Sequence, residues 1–337
     1  MLQFLLTLAC SGEAPQPRPA DAPLPSIGAR APLDEQADGV AAADLDGDGV
    51  DELFFVRGSE LHWSGGQLEL GGGFQRAVRG DTDGDGKEEA LIATGMVREQ
   101  PTAPARIWRI KEDGAELIYE RASKRGQVPE LRVVDGRIWT AGFVDSLTVE
   151  AGWVEAGELQ PQVSGRLATR SLPLSDGAVV LARVYGANAD EPGDLAIHRG
   201  DQVEVLPSFR GARALALGDL DGDGQDELLS GDGWHKNYGQ TAIARLQVLP
   251  GTDWQDARAL AHLPLDYSIR EIEVLPDGRL LVTGTRAAYL LTRDSLGWAV
   301  QTLGPLDESG NVQLVQTADG PAVLFSGKPA ALVSLGS

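Results

Sequence analysis

The sequence is poor in cysteine, histidine, aromatic residues and positive charge, and each shortage closes off some chemistry. Its one cysteine, Cys10, rules out an internal disulfide and leaves no cysteine metal centre or nucleophile in the body of the chain. The four histidines, His62, His198, His235 and His262, share no i,i+4 or His-Glu-x-x-His spacing, so a zinc centre has no support. No G-x-S-x-G elbow, P-loop or dinucleotide fingerprint occurs. Beyond the N-terminus no stretch approaches the roughly 20 apolar residues of a spanning helix. Lysine and arginine number 29 against 50 aspartates and glutamates, a net charge of -21, so nucleic acid and anionic membrane surfaces are poor partners. Cations and basic proteins are better ones. Helical periodicity is scarce too, and its best instance, Trp254 to Leu263, reads equally well as a loop and an outer strand.

What is abundant is glycine and acid in register. Asp44-Leu45-Asp46-Gly47-Asp48-Gly49-Val50-Asp51-Glu52 recurs as Asp81 to Glu89 and as Asp219 to Glu227. Carboxylates fall at positions 1, 3, 5 and 9, glycines at 4 and 6, and an apolar run follows at once. Ca2+ takes six to eight hard oxygen ligands, and a short loop supplies them when alternate side chains turn inward. The ligand sets expected are Asp44, Asp46, Asp48, the Val50 carbonyl and Glu52; Asp81, Asp83, Asp85, the Lys87 carbonyl and Glu89; and Asp219, Asp221, Asp223, the Gln225 carbonyl and Glu227. Up to three Ca2+ ions are expected. An EF-hand needs a bidentate Glu at position 12 between helices. Here that position holds Phe55, Ile92 or Ser230, and the flanks read as strands.

The same phrase returns in worn form, strand, Asp-Gly turn, strand, at Asp135-Gly136, Asp176-Gly177, Asp277-Gly278 and Asp319-Gly320. The seven turns stand roughly 40 to 55 residues apart, the length of a four-stranded propeller blade. The expected fold is all-β, a seven-bladed β-propeller of four-stranded antiparallel blades. In the first unit strands are expected at Gly39 to Asp44, Glu52 to Arg57, Glu60 to Ser64 and Gln67 to Leu70. Small residues before the loops suit strands converging on an axis, and the continuous apolar runs after them suit strands covered on both faces.

With strands on either side and blade-length spacing, these loops resemble the FG-GAP or VCBS repeat family, the propeller repeat also found in integrin α-subunit heads. The resemblance spans most of residues 38–337. It implies structural ions that tie the first strand of a blade to the second. Glu at position 9 departs from the Asp common in that family. The N-terminus, MLQFLLTLA followed by Cys10 and Ser11, resembles a bacterial lipoprotein signal. The layout expected is a signal at 1–9, a lipidated Cys10 with a Pro-rich tether over 10–37, and the propeller over 38–337. Membrane association then rests on lipid at Cys10, with the outer membrane or cell surface as location and a secreted or periplasmic form as alternative.

Because strands alternate in direction, the acidic loops share one face of the ring. Long second-to-third-strand connections share the other, among them one carrying Trp234, His235, Asn237 and Tyr238. Exposed aromatic and amide groups there are candidates for a protein or glycan partner. Arg199-Gly200-Asp201 spells an adhesion tripeptide, but Gly200-Asp201 falls where a two-residue hairpin turn is needed. The function expected is a calcium-stabilised, surface-tethered, non-catalytic binding or adhesion scaffold. The alternative is a polysaccharide-active hydrolase or lyase, or a lectin, on the same scaffold.

Overall fold

The computed structural model describes residues 27–122, 125–166, 168–184, 193–208, 211–233, 243–251, 254–295, 297–307 and 310–335. Among them the secondary structure is entirely β. Strand β1 (Ile27–Pro32) precedes the first blade, β2 (Gly39–Ala43), β3 (Glu52–Arg57), β4 (Glu60–Trp63) and β5 (Gly66–Glu69). Blade 2 is β6 (Gly73–Gly80), β7 (Glu89–Gly95), β8 (Ala105–Lys111) and β9 (Gly114–Arg121). Blade 3 is β10 (Glu130–Val134), β11 (Arg137–Phe143), β12 (Thr148–Glu155) and β13 (Glu158–Arg166). Blade 4 is β14 (Ala168–Pro173), β15 (Val179–Arg183), β16 (Leu195–Arg199) and β17 (Gln202–Leu206). Blade 5 is β18 (Ala214–Gly218), β19 (Glu227–Gly231), β20 (Ala244–Leu249) and β21 (Arg258–Leu263). Blade 6 is β22 (Ile269–Val274), β23 (Leu280–Gly284), β24 (Ala287–Asp294) and β25 (Gly297–Pro305). Blade 7 takes β26 (Val312–Thr317), β27 (Gly320–Phe325) and β28 (Ala331–Leu335), and β1 completes it.

Seven antiparallel four-stranded sheets result, in the order the Asp-Gly spacing predicts. The first strands of successive blades, from β26 and β2 round to β22, touch one another and therefore form the inner wall. Small side chains permit that convergence, and all five residues of β2 (GVAAA) are buried. The second strands β7, β19 and β23 are buried along their whole length, as expected of strands covered by a neighbouring blade on each side. The hydrophobic core divides into seven clusters, one at each blade-to-blade interface. Seven interfaces for seven blades mean a closed ring.

Closure corrects one sequence expectation. The propeller includes the stretch Ile27–Pro32, ahead of Asp38, because β1 pairs antiparallel with β28 through Ile27 to Leu335, Arg30 to Val333 and Pro32 to Ala331. Chain start and chain end thus share one blade. Two further ties cross the seam. The Asn311 side chain accepts from the Val40 N–H and donates to the Val40 carbonyl, each at 2.9 Å. Asp51 accepts from the Gln316 N–H at 2.7 Å and from Arg79 at 2.6 Å, linking blades 7, 1 and 2. The stretch from Trp254 to Leu263 contains no helix; its second half is the outer strand β21. Gly200-Asp201 is the two-residue hairpin turn between β16 and β17, with Arg199 paired to Gln202.

Candidate functional site

The three acidic loops join β2 to β3, β6 to β7 and β18 to β19, all at one end of the ring. Each is folded by the same hydrogen bonds. The first carboxylate accepts from the N–H groups of positions 4 and 6: Asp44 from Gly47 and Gly49, Asp81 from Gly84 and Gly86, Asp219 from Gly222 and Gly224. The third accepts from position 5, and the fifth from position 7, so Val50, Lys87 and Gln225 donate to Asp48, Asp85 and Asp223. The glutamate at position 9 reaches back to the N–H of position 2, Glu52 to Leu45, Glu89 to Thr82 and Glu227 to Leu220, at 2.7 to 2.8 Å. Both glycines of each loop have φ between +80° and +87°, a conformation that a side chain would strain.

The second loop gathers carboxylate oxygens of Asp81, Asp83, Asp85 and Glu89 within 4.8 Å of one another. The first loop does so with Asp44, Asp46 and Asp48, and the third with Asp219, Asp221 and Glu227. Glu52 and Asp223 stand outside these groups while keeping the loop bond of their counterparts. These all-oxygen clusters suit a hard cation. Desolvation, followed by the loop's own carboxylates, raises the pKa of Glu52 and Glu227, and desolvation raises that of Glu89. In the second loop the Lys111 ammonium donates to Asp83 and holds its pKa down. Asp51 at position 8 serves the blade seam.

The ring axis carries a second feature, which the loop motif does not announce. Two adjoining cavities of about 250 and 200 Å3 run between the first strands and share Arg76, Arg170, Arg270, Glu271 and Thr283. Among the described residues six arginines and three glutamates line them, with no lysine or aspartate. The smaller cavity opens at the starts of the first strands, the end opposite the acidic loops. Glu130 is buried, accepts from the Ser171 N–H at 3.1 Å and lies near Arg76 and Arg132. Arg76 donates to Glu271 at 3.0 Å. A sequence signal for this channel existed: an arginine a few residues ahead of the Asp-Gly turn in blades 2 to 6, at Arg76, Arg132, Arg170, Arg213 and Arg270. Trp234, His235, Asn237 and Tyr238, and Cys10, lie outside the described residues.

Fold and geometry define a seven-bladed β-propeller. No family model matches the chain, and no curated protein matches it. Solved structures do. The chain is similar to the WD40 β-propeller domain of Doa1, at 15% identity and a TM-score of 0.56, covering 93% of this chain and 98% of that one. It is also similar to a streptogramin B lyase, at 12% identity and a TM-score of 0.55, covering 91% and 97%. A gluconolactonase from Xanthomonas campestris matches at 12% identity and a TM-score of 0.50, covering 92% and 99%. At such identities the likeness shows the fold alone.

Proposed function

We propose that this chain is a calcium-stabilised, non-catalytic binding propeller of the FG-GAP or VCBS type. The same reading has it held at a bacterial outer membrane or cell surface through lipid on Cys10, with its protein or glycan ligand on the face opposite the loops. The observation that carries the calcium role is the equivalence of turns. Three first-to-second-strand turns gather carboxylates around one hydrogen-bond pattern, and four turns at the same place in the fold close with Asp-Gly alone. An ion there reinforces a turn that the blade already makes. In the absence of an ion, three or four carboxylates within a few ångströms repel one another, so the loops rely on Ca2+ for rigidity.

Calorimetry in calcium and in chelator tests this. A site at about 100 times its Kd adds roughly 2.7 kcal/mol, so chelation is expected to lower Tm by several degrees. Equal transitions in the two conditions would sink the calcium role. A second reading, a polysaccharide-active enzyme or lectin using the axis, draws on Glu273, a channel carboxyl whose pKa burial pushes up to about 7, with Glu271 adding to it. A glycan array with a turnover assay separates the two, since released reducing ends or unsaturated sugar favour the enzyme.

A further inference from the structure

We propose that the axial mouth opposite the acidic loops binds a small oxyanion, a carboxylate or phosphate group on a ligand of about monosaccharide size. The proposal deepens the binding role above and rests on it, naming the ligand chemistry that this face recognises.

Charge is the first argument. In a chain of net charge -21, the described lining of the axial cavities holds six arginines and three glutamates, and with Arg79 paired to Asp51 five arginines face three glutamates. A cleft with walls of low dielectric focuses such a field and draws in ligands of opposite sign. The protein as a whole repels anions, so a positive axis marks one place where they are accepted.

Preorganisation is the second. Main-chain carbonyls hold the guanidinium groups in place. Arg170 donates to Pro129 and Arg270 at 2.7 and 2.8 Å, and Arg132 donates to Leu215 at 2.8 Å. Arg270 donates to Gly284 at 2.8 Å and also to Gly310. Carbonyl bonds fix the plane of a guanidinium, and a fixed fork loses little entropy on meeting an oxyanion. Burial, then the neighbouring arginines, lowers the pKa of Arg170, which lies close to Arg76 and Arg213. Arg270 is pushed down to about 10 by burial, with Arg213 and Arg76 adding to it. An anion in their midst relieves that crowding.

Backbone geometry is the third. The pairing of first with second strand slips at the same place in three blades, between Phe74 and Arg76, Ala168 and Arg170, and Ile269 and Glu271. Bulges of this kind re-aim side chains and occur often beside functional sites. Here they bring Arg76, Arg170 and Arg270 to the mouth. Cavities of about 250 and 200 Å3 suit one small anion.

Isothermal titration of the full chain in calcium tests the site, with glucuronate, inorganic phosphate and pyrophosphate as probes and glucose as neutral control. At least one anion is expected to bind with one-to-one stoichiometry and to weaken with added salt, while glucose gives no heat. Arg213→Gln is expected to weaken binding at least tenfold. Should that variant fold poorly, Gln313→Glu keeps every arginine and places a carboxylate in the channel, with the same loss expected. Arg137→Gln, on the outside of blade 3, is expected to bind as the parent does. Glucuronate binding alone identifies a carboxylate ligand, and phosphate or pyrophosphate binding alone a phosphorylated one. Absence of binding by all three anions to folded protein overturns the proposal, as does binding that both channel variants leave unchanged. If chelation lowers Tm while no anion binds, the calcium scaffold stands and the anion site falls.

Discussion

Glu273 lies on β22 within the axial channel, close to Arg79 and Glu271. Burial is the main influence on its carboxyl; Arg79 favours the charged form and Glu271 opposes it, and the pKa ends at about 7. An unfolded chain releases this proton near pH 4.5. Between that value and about 7 the folded chain binds a proton that the unfolded chain has lost. Stability contributed by this group therefore falls as pH rises through the window, and the full cost persists above it. Glu273→Gln keeps the shape and removes the ionisation. Its stability relative to the parent, followed through the difference in Tm, is expected to climb between about pH 5 and pH 8 by an amount on the order of 2 kcal/mol. A difference in Tm that stays flat across this range would show that Glu273 titrates as an ordinary surface carboxyl.

At the scale of elements, the connections are where distant parts of the chain are fastened together. Asp266, in the connection from β21 to β22, caps the turn between β23 and β24. Its Oδ1 accepts from the Thr285 N–H at 2.5 Å, the Thr285 hydroxyl at 2.7 Å and the Arg286 N–H at 2.7 Å, and its Oδ2 from the Tyr289 hydroxyl at 2.7 Å. Gly284, the last residue of β23, makes room for it. A Cβ there would stand 2.2 Å from Asp266 Oδ2 and 2.3 Å from its Cγ. Gly284→Ala is expected to expel the carboxylate, strand its donors in a buried site and cost about 2 to 4 kcal/mol. The urea midpoint measures this, and a shift worth less than about 0.5 kcal/mol would contradict the account. Asp266 also marks the limit of what the chain discloses before it folds. Turns were legible because Asp-Gly is local chemistry, and the first and second strands were legible because small or continuous apolar runs reflect covered surfaces. Asp266 carries no such pattern, since its partners lie in another element. The channel arginines were visible one by one, but their convergence depends on the ring. The role of Asp51 is hidden for the same reason: its neighbours in sequence are calcium ligands, and its partner Gln316 is on the last blade. The acidic loops themselves were legible as clusters, and the structure divides their carboxylates less evenly than the repeat suggests.

For the whole molecule, closure of the ring depends on a strand that sequence periodicity passes over. β1 ends in Pro32 and shows little apolar alternation, and among the described strands the one it hydrogen-bonds to is β28, at the far end of the chain. An edge strand tolerates Pro32 because its outer side makes no ladder. Around it, Arg30 stacks 4.6 Å over the Phe325 ring and donates to the Pro305 carbonyl at 2.9 Å. Leu33 and Ala37 continue the seam by donating to Ala330 and Gly327. A chain begun at Asp38 would lose all of these contacts and leave blade 7 with three strands. It would also bare the edge of β28, a template for pairing with another chain. Such a truncation is expected to lower Tm by roughly 5 to 15 °C, the consequence of losing a few kcal/mol in a domain of this size, and to form oligomers on size-exclusion chromatography. A synthetic peptide spanning 27–37 is expected to restore both properties by taking the vacant edge. A monomeric truncated chain of unchanged Tm would mean that the ring is closed by the packing of β26 against β2 and by the Asn311 and Asp51 ties, with β1 only laid along the rim.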